Sequence, residues 1–165
     1  MTEKAKTLLE QENAISLRTA VVLDTGDLVS FWLMPAWINS SIPGAKPRGL
    51  DWASQDFTWL YRHERSWLDE QKLKRIYPGI VQQDLRALKF ETPPEFKLLW
   101  TDSGNSVALT LNGELWAFSD EQTHTGYSKG ILKAPDMTRW RKSKHKPIRP
   151  MPWDQDLYDK IFCAK

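Results

Sequence analysis

The sequence predicts an α+β fold in a single domain, residues 1–165. Two apolar runs flank a glycine-containing turn near the N-terminus, and an Asn-Gly pair separates two alternating runs beyond the middle of the chain. Elsewhere, apolar residues recur at helical spacing. Antiparallel strands that are local in sequence, with helices set apart from them, are typical of α+β domains. A chain of 165 residues is long enough to bury one core.

An N-terminal hairpin is predicted over about 15–34. The apolar runs Val21–Leu23 and Leu28–Leu33 enclose the turn Asp24–Asp27, which contains a glycine. Two β-rich apolar runs around such a turn favour a hairpin. Ile15 is assigned to the first strand as an earlier apolar position. This hairpin forms one part of the predicted antiparallel sheet.

Helices are predicted wherever apolar residues follow i, i+3, i+4 spacing. Ala5, Leu8 and Leu9 have this spacing, which predicts a short helix within 2–12. In the C-terminal helix, Asp154 is placed to cap the first turn. Two or three helices are expected to pack against the sheet, at about 64–77, 80–90 and 154–163.

A three-strand meander is predicted over about 97–132, with a fourth strand near its end. Val107–Leu111 alternates in polarity, Asn112-Gly113 follows, and Leu115–Ser119 alternates again. Asn-Gly between alternating runs is a strong hairpin signal, because both turn residues require positive φ. A second turn, Asp102–Asn105, lies upstream of these strands. This is the clearest element of the sequence.

The segment 38–58 is predicted to be a long loop, because prolines, glycines and serines are frequent in it. The chain contains nine tryptophans. Most are expected in the core, since tryptophan is seldom left fully exposed. Trp37 and Trp52, which flank or lie within the loop, are candidate partner-binding residues, because aromatic side chains are enriched at interfaces.

Positive charge is concentrated in a basic, proline-containing connector at 139–153. The net charge of the chain is +2, yet six cations lie in the stretch 139–149. The remaining 17 basic and 21 acidic residues leave a charge of −4. An acidic partner is therefore expected to bind here. The candidate contact residues in this stretch are Arg139, Trp140, Arg141, Lys142, Lys144, Lys146 and Arg149.

The sequence contains no common catalytic or cofactor motif. His63, His124 and His145 have no metal-ligand spacing with one another or with Cys163. Phosphate-binding and dinucleotide-binding glycine motifs and the nucleophile elbow are also missing. No cofactor and no metal are therefore predicted. An enzyme with an unrecognised site around His63 or His124 remains an alternative.

A non-catalytic protein-binding domain is the predicted function, with an inhibitor or immunity-type partner of a bacterial toxin as the particular case. This prediction follows from the small size, the many tryptophans and the lack of catalytic motifs. The alternative is a nucleic-acid-binding accessory protein, in which the stretch 139–149 contacts phosphates and Trp140 stacks on a base. The first residues have no apolar signal region, and no apolar run could span a membrane. A cytoplasmic location is expected.

Overall fold

The α+β prediction is wrong, because the chain folds mainly as two five-stranded β-sheets. The computed structural model describes residues 6–26, 28–34, 56–63, 84–120, 125–133 and 150–163. Within these ranges, the only helical segment of more than one turn lies near the C-terminus.

The first sheet is a four-stranded antiparallel meander with a short fifth strand. Its strands are β1 (Lys6–Glu12), β2 (Thr19–Asp24), β3 (Leu28–Leu33), β4 (Asp56–His63) and β5 (Ala87–Leu88). Strands β1 to β4 pair in sequence order, and β5 pairs parallel to β4. The predicted hairpin corresponds to β2 and β3.

The second sheet repeats this topology. Its strands are β6 (Phe96–Trp100), β7 (Val107–Leu111), β8 (Glu114–Asp120), β9 (Thr125–Ser128) and β10 (Met151–Pro152). The first four pair antiparallel in sequence order, and β10 pairs parallel to β9. The pairing of β6 to β9 is the predicted meander.

One core lies between the two sheets, because alternate residues of both turn their side chains inward. Strand β4 packs against β8 and β9. At this contact the indole Nε1 of Trp116 donates to the buried carbonyl oxygen of Leu60 at 2.7 Å. Gly130 touches the same carbonyl so closely that a Cβ there would collide with it. The buried core residues include Val22, Phe31, Leu33, Leu60, Tyr61, Val107, Leu109 and Trp116.

The segment 84–88 joins the sheets along one side. Leu85 forms an antiparallel bridge with Ile131. The amide of Arg86 donates to the carbonyl of Gly130 at 2.7 Å, and its carbonyl accepts from the amide of Arg62 at 2.9 Å. Residues after β9 and residues of β4 are therefore bonded to the same short segment.

The C-terminal helix covers the outer face of the second sheet. Helix α1 (Gln155–Tyr158) continues as a π-helical segment (Asp159–Cys163). As predicted, Asp154 caps it, since its carboxylate accepts from the amide of Leu157 at 3.0 Å. The aromatic cluster beneath the helix consists of Phe118, Tyr127, Trp153, Tyr158 and Phe162.

Two of the helix predictions fail where described residues test them. The segment 2–12 contains strand β1, and a register shift between Thr7 and Leu9 lets consecutive leucines both contact the core. Such a β-bulge produces the apolar spacing that was interpreted as helical. The segment 80–90 is described from residue 84 and contains the bridge at Leu85 and strand β5. The predicted helix 64–77 lies outside the described residues.

The predicted loop 38–58 and connector 139–153 are described only at their C-terminal ends. Residues 56–58 begin β4, so the predicted loop extends too far into this strand. Residues 151–152 form β10, which adds a parallel strand to the second sheet where a connector was predicted. A strand of two residues cannot be identified from sequence, because it is too short to show an alternation of apolar and polar residues.

Candidate functional site

The loop Asn13–Arg18 lies on the loop Thr101–Ser106, and together they form one end of the molecule. The first loop joins β1 to β2, and the second joins β6 to β7. Gly104 has a φ of +72°, and a Cβ there would collide with the Asn13 side chain. The guanidinium Nε of Arg18 donates to Asn105 Oδ1 at 3.0 Å. Equivalent loops of the two sheets are therefore in direct contact, and we call this contact the paired-loop surface.

Asn13 hydrogen-bonds the backbone of the first loop through both its own backbone and its side chain. Its amide donates to the Arg18 carbonyl at 2.8 Å, and its carbonyl accepts from the Leu17 amide at 2.9 Å. Its Oδ1 accepts from the amides of Ile15 and Ser16 at 2.9 and 3.0 Å. Four hydrogen bonds to one residue reduce the backbone freedom of the loop.

This hydrogen-bonded loop exposes two large apolar side chains. Ile15 is 72% exposed and Leu17 is 43% exposed. Leu17 also has a φ of 63°, in the left-handed region that costs a residue with a Cβ about 1 kcal/mol. Neither the exposure nor the backbone conformation stabilises the folded chain. Costs of this kind occur at functional sites, where the surrounding structure maintains them.

A second candidate region lies at the opposite end of β2. His63 Nε2 is 2.8 Å from Asp24 Oδ1, and the same oxygen accepts from the Gly26 amide at 2.8 Å. The Tyr61 ring meets the His63 ring edge to face, with centroids 5.7 Å apart. Burial of Tyr61, together with the nearby Asp24 charge, raises the pKa of its hydroxyl to about 12.

The His63–Asp24 pair has a clear structural role. Asp24 ends β2, and its carboxylate closes the turn into β3 while it holds the last residue of β4. An unrecognised enzyme site around His63 stays a prediction, because the residues that follow His63 lie outside the described ranges. Among the residues described, no group of three His, Cys, Asp or Glu side chains could hold a metal ion.

The described ranges contain none of the residues predicted to bind a partner. These are Trp37, Trp52, Arg139, Trp140, Arg141, Lys142, Lys144, Lys146 and Arg149. His124 also lies outside them. The contact predictions at these positions stay predictions, as does nucleic-acid binding by the stretch 139–149.

Sequence reasoning missed the paired-loop surface, because Ile15 was assigned to a strand. An apolar residue followed two positions later by another has the period of a strand. Asn13 was the available signal, since asparagine often hydrogen-bonds the backbone of the turn that follows it. The contact between the loops had no sequence signal, because the bonded residues Arg18 and Asn105 are 87 positions apart.

Comparison with known proteins identifies no relative: no family model, curated protein or solved structure matches this chain. In the described part of the chain, no helix has the length and apolar character needed to cross a membrane.

Proposed function

We propose that the protein is a non-catalytic protein-binding domain that contacts its partner through the paired-loop surface. The observation that carries the proposal is the exposure of Ile15 and Leu17 on a loop held by four hydrogen bonds. A loop whose backbone is already held by hydrogen bonds loses less conformational entropy on binding than an unrestrained loop. A loop of this kind is suited to insert two branched side chains into an apolar depression of a partner.

The surroundings of the two side chains support a protein as the partner. Asp102 and Ser103 are exposed on the neighbouring loop, so the paired-loop surface presents polar as well as apolar side chains. An apolar centre with a polar margin is the usual composition of a protein interface. No basic residue other than Arg18 lies on either loop, and this composition does not favour a nucleic-acid backbone as the ligand.

The direct test compares three forms of the immobilised protein in native lysate, each after nuclease treatment. They are the wild type, the double variant Ile15→Ser with Leu17→Asn, and the control Leu132→Ser. Asn tolerates the left-handed backbone at position 17. Leu132 is 53% exposed and belongs to neither loop. We expect a stoichiometric protein that the wild type and the control retain and the double variant loses by at least tenfold.

Hydrogen exchange on the purified complex then locates the contact. Added protection is expected in the amides of 13–18 and 101–106. Equal retention by all three forms, or protection that excludes both loops, would show that the paired-loop surface is not the binding site. Recovery of nucleic acid alone from untreated lysate would replace this proposal with the nucleic-acid alternative.

An inhibitor or immunity-type partner of a bacterial toxin is the particular class that we propose. Small size and a preorganised apolar contact suit a protein that occupies another protein's surface. The test is to express the captured partner with and without this chain. If the class is right, the partner expressed alone arrests growth. Coexpression of the wild-type chain restores growth, and coexpression of the double variant does not. A partner that is harmless alone would contradict the toxin-inhibitor class and leave the binding function intact.

A further inference from the structure

Strand β6 forms an edge of the second sheet that differs from the β1 edge of the first sheet. Among the described strands, β6 pairs with β7 on one side only, and β1 likewise pairs only with β2. Strand β1 contains a register shift and exposes Lys6, Glu10 and Glu12. Bulges and charges of this kind prevent further strand pairing. Strand β6 pairs regularly, and its single charged residue is Lys97.

The hydrogen bonds of β6 show which backbone groups point away from β7. The Thr101 amide donates to the Ser106 carbonyl, and the Asn112 amide donates to the Glu95 carbonyl. Hydrogen-bonded pairs alternate along an antiparallel ladder. Lys97 and Leu99 therefore bond to β7. The amides and carbonyls of the other three residues, Phe96, Leu98 and Trp100, point away from β7, to the side on which no described strand pairs with β6.

The side chains of β6 are complementary to a second copy of the same strand. In the sequence Phe-Lys-Leu-Leu-Trp, an antiparallel copy centred on Leu98 places Phe96 opposite Trp100 and Lys97 opposite Leu99. Aromatic pairs across strands are stabilising. Phe96, Leu98 and Trp100 are partly buried against the core, and Leu99 on the opposite face is 46% exposed.

The charge of Lys97 favours the register centred on Leu98 over registers shifted by two residues. A shift by two residues in one direction would place Lys97 opposite its own copy, and like charges opposite each other are destabilising. The shift in the other direction would leave Phe96 without a partner in the strand. In the centred register, Lys97 keeps its ion pair with Glu95, at 3.2 Å, and its carbon stem lies beside Leu99 of the second copy.

We propose that β6 is a homodimer interface, in which two copies pair antiparallel about a twofold axis at Leu98 and join their second sheets. The interface is isologous, since both copies contribute the same strand and Phe96 of each copy lies opposite Trp100 of the other. The proposal goes beyond the partner-binding function and is separate from Ile15 and Leu17. Loss of partner binding by the loop variants would leave the dimer unchanged.

Sedimentation velocity over a range of concentrations tests the dimer with a pair of opposite charge variants. Leu99→Lys places two lysines opposite each other at both ends of the interface, and Leu99→Glu places glutamate opposite Lys97. We expect Leu99→Lys to raise the dimer dissociation constant about tenfold. Leu99→Glu should keep it within about threefold of the wild type at low salt, and this variant should weaken as salt rises. Leu132→Lys is the matched control and should leave the constant unchanged.

Cross-linking tests the register independently. Positions 97 and 99 of opposite copies form a non-hydrogen-bonded pair, whose Cα separation of about 4.5 Å suits a disulfide. Lys97→Cys with Leu99→Cys, in a Cys163→Ser background, should give a disulfide-linked dimer on mild oxidation. A wild type that stays monomeric at every concentration, equal effects of the two charge variants, or a double-cysteine variant that fails to cross-link would each overturn the proposal.

Discussion

The two sheets have the same strand order but carry different chemistry at equivalent positions. The loop after β1 exposes Ile15 and Leu17, whereas the loop after β6 is made of hydroxyl, amide and carboxylate side chains. The turn after β2 is closed by Asp24, which also holds His63, whereas the turn after β7 uses Asn112 to accept from the Glu95 amide at 2.8 Å. A shared topology therefore supplies the scaffold, and the departures from it mark the candidate functional surfaces.

The outer surroundings of the sheets differ as well. The helix α1 and its π-helical continuation cover the outer face of the second sheet with aromatic residues. The β1 edge of the first sheet is bulged and carries several charges, whereas the β6 edge of the second sheet is regular and carries one. We therefore propose partner binding at the loop that follows β1 and self-association at the β6 edge.

The largest effect is expected where the two sheets touch. Gly130, which follows β9, and Gly113, in the turn between β7 and β8, provide a matched comparison. Gly130→Ala would place a Cβ against the Leu60 carbonyl, and backbone cannot yield as a side chain can. We expect a loss of about 3 kcal/mol or more in the free energy of unfolding. Gly113→Ala meets no atom but has a φ of +85°, and should cost only about 1 kcal/mol.

Urea unfolding monitored by tryptophan fluorescence measures both variants. Equal losses for the two would mean that the close contact between the sheets does not limit packing. A loss at Gly113 larger than that at Gly130 would mean that backbone conformation matters more than this contact.

An intermediate effect is expected at alkaline pH, from Tyr61 in the first sheet. Its pKa of about 12 lies above the ordinary value of 10.0. The unfolded chain therefore ionises first, so the stabilising contribution is fully present below pH 10 and is lost as pH rises to about 12. The two-unit difference corresponds to about 2 to 3 kcal/mol at most.

The measurement is the free energy of unfolding of the wild type and Tyr61→Phe between pH 9 and pH 11. The variant should lose less stability over this interval. Tyr127→Phe, whose ring stacks on Phe118 in the second sheet, controls for removal of a hydroxyl. An identical alkaline loss in the wild type and Tyr61→Phe would contradict the assignment.

The smallest effect is expected from making the two loops alike. Leu17 and Gly104 have similar positive φ values, 63° and 72°, and only the second is a glycine. Leu17→Gly removes the left-handed strain but increases the entropy of the unfolded chain. The free energy of unfolding should therefore stay unchanged or rise by at most about 1 kcal/mol, while partner binding falls.

Thermal unfolding and the binding assay of the captured partner, performed on one preparation, test this prediction. A loss of more than about 2 kcal/mol would show that Leu17 stabilises the fold. Unchanged partner binding would remove Leu17 from the proposed interface.

Local features of the chain were predictable because they depend on neighbouring residues. Asn112-Gly113 supports its hairpin because both residues adopt positive φ. Asp154 caps the helix by accepting a hydrogen bond from the amide of Leu157, three residues further along the chain. The apolar spacing near Leu8 and Leu85 led to wrong helix predictions, since short apolar patterns fit a bulged strand or a bridge as well as a helix. These segments are strands only because β2, β4 and Ile131 lie beside them.

The sequence by itself determined the antiparallel pairs β2–β3 and β6–β9 and the cap of the final helix. Only the tertiary structure decided that residues 6–12 form β1 and that the segment 84–88 bonds both to β4 and to the residues after β9. It also decided that the loops 13–18 and 101–106 meet and that His63 contacts Asp24. The physical reason is the range of the interactions. Turns and caps are stabilised within a few residues, whereas contacts between distant segments depend on the shape of the packed core.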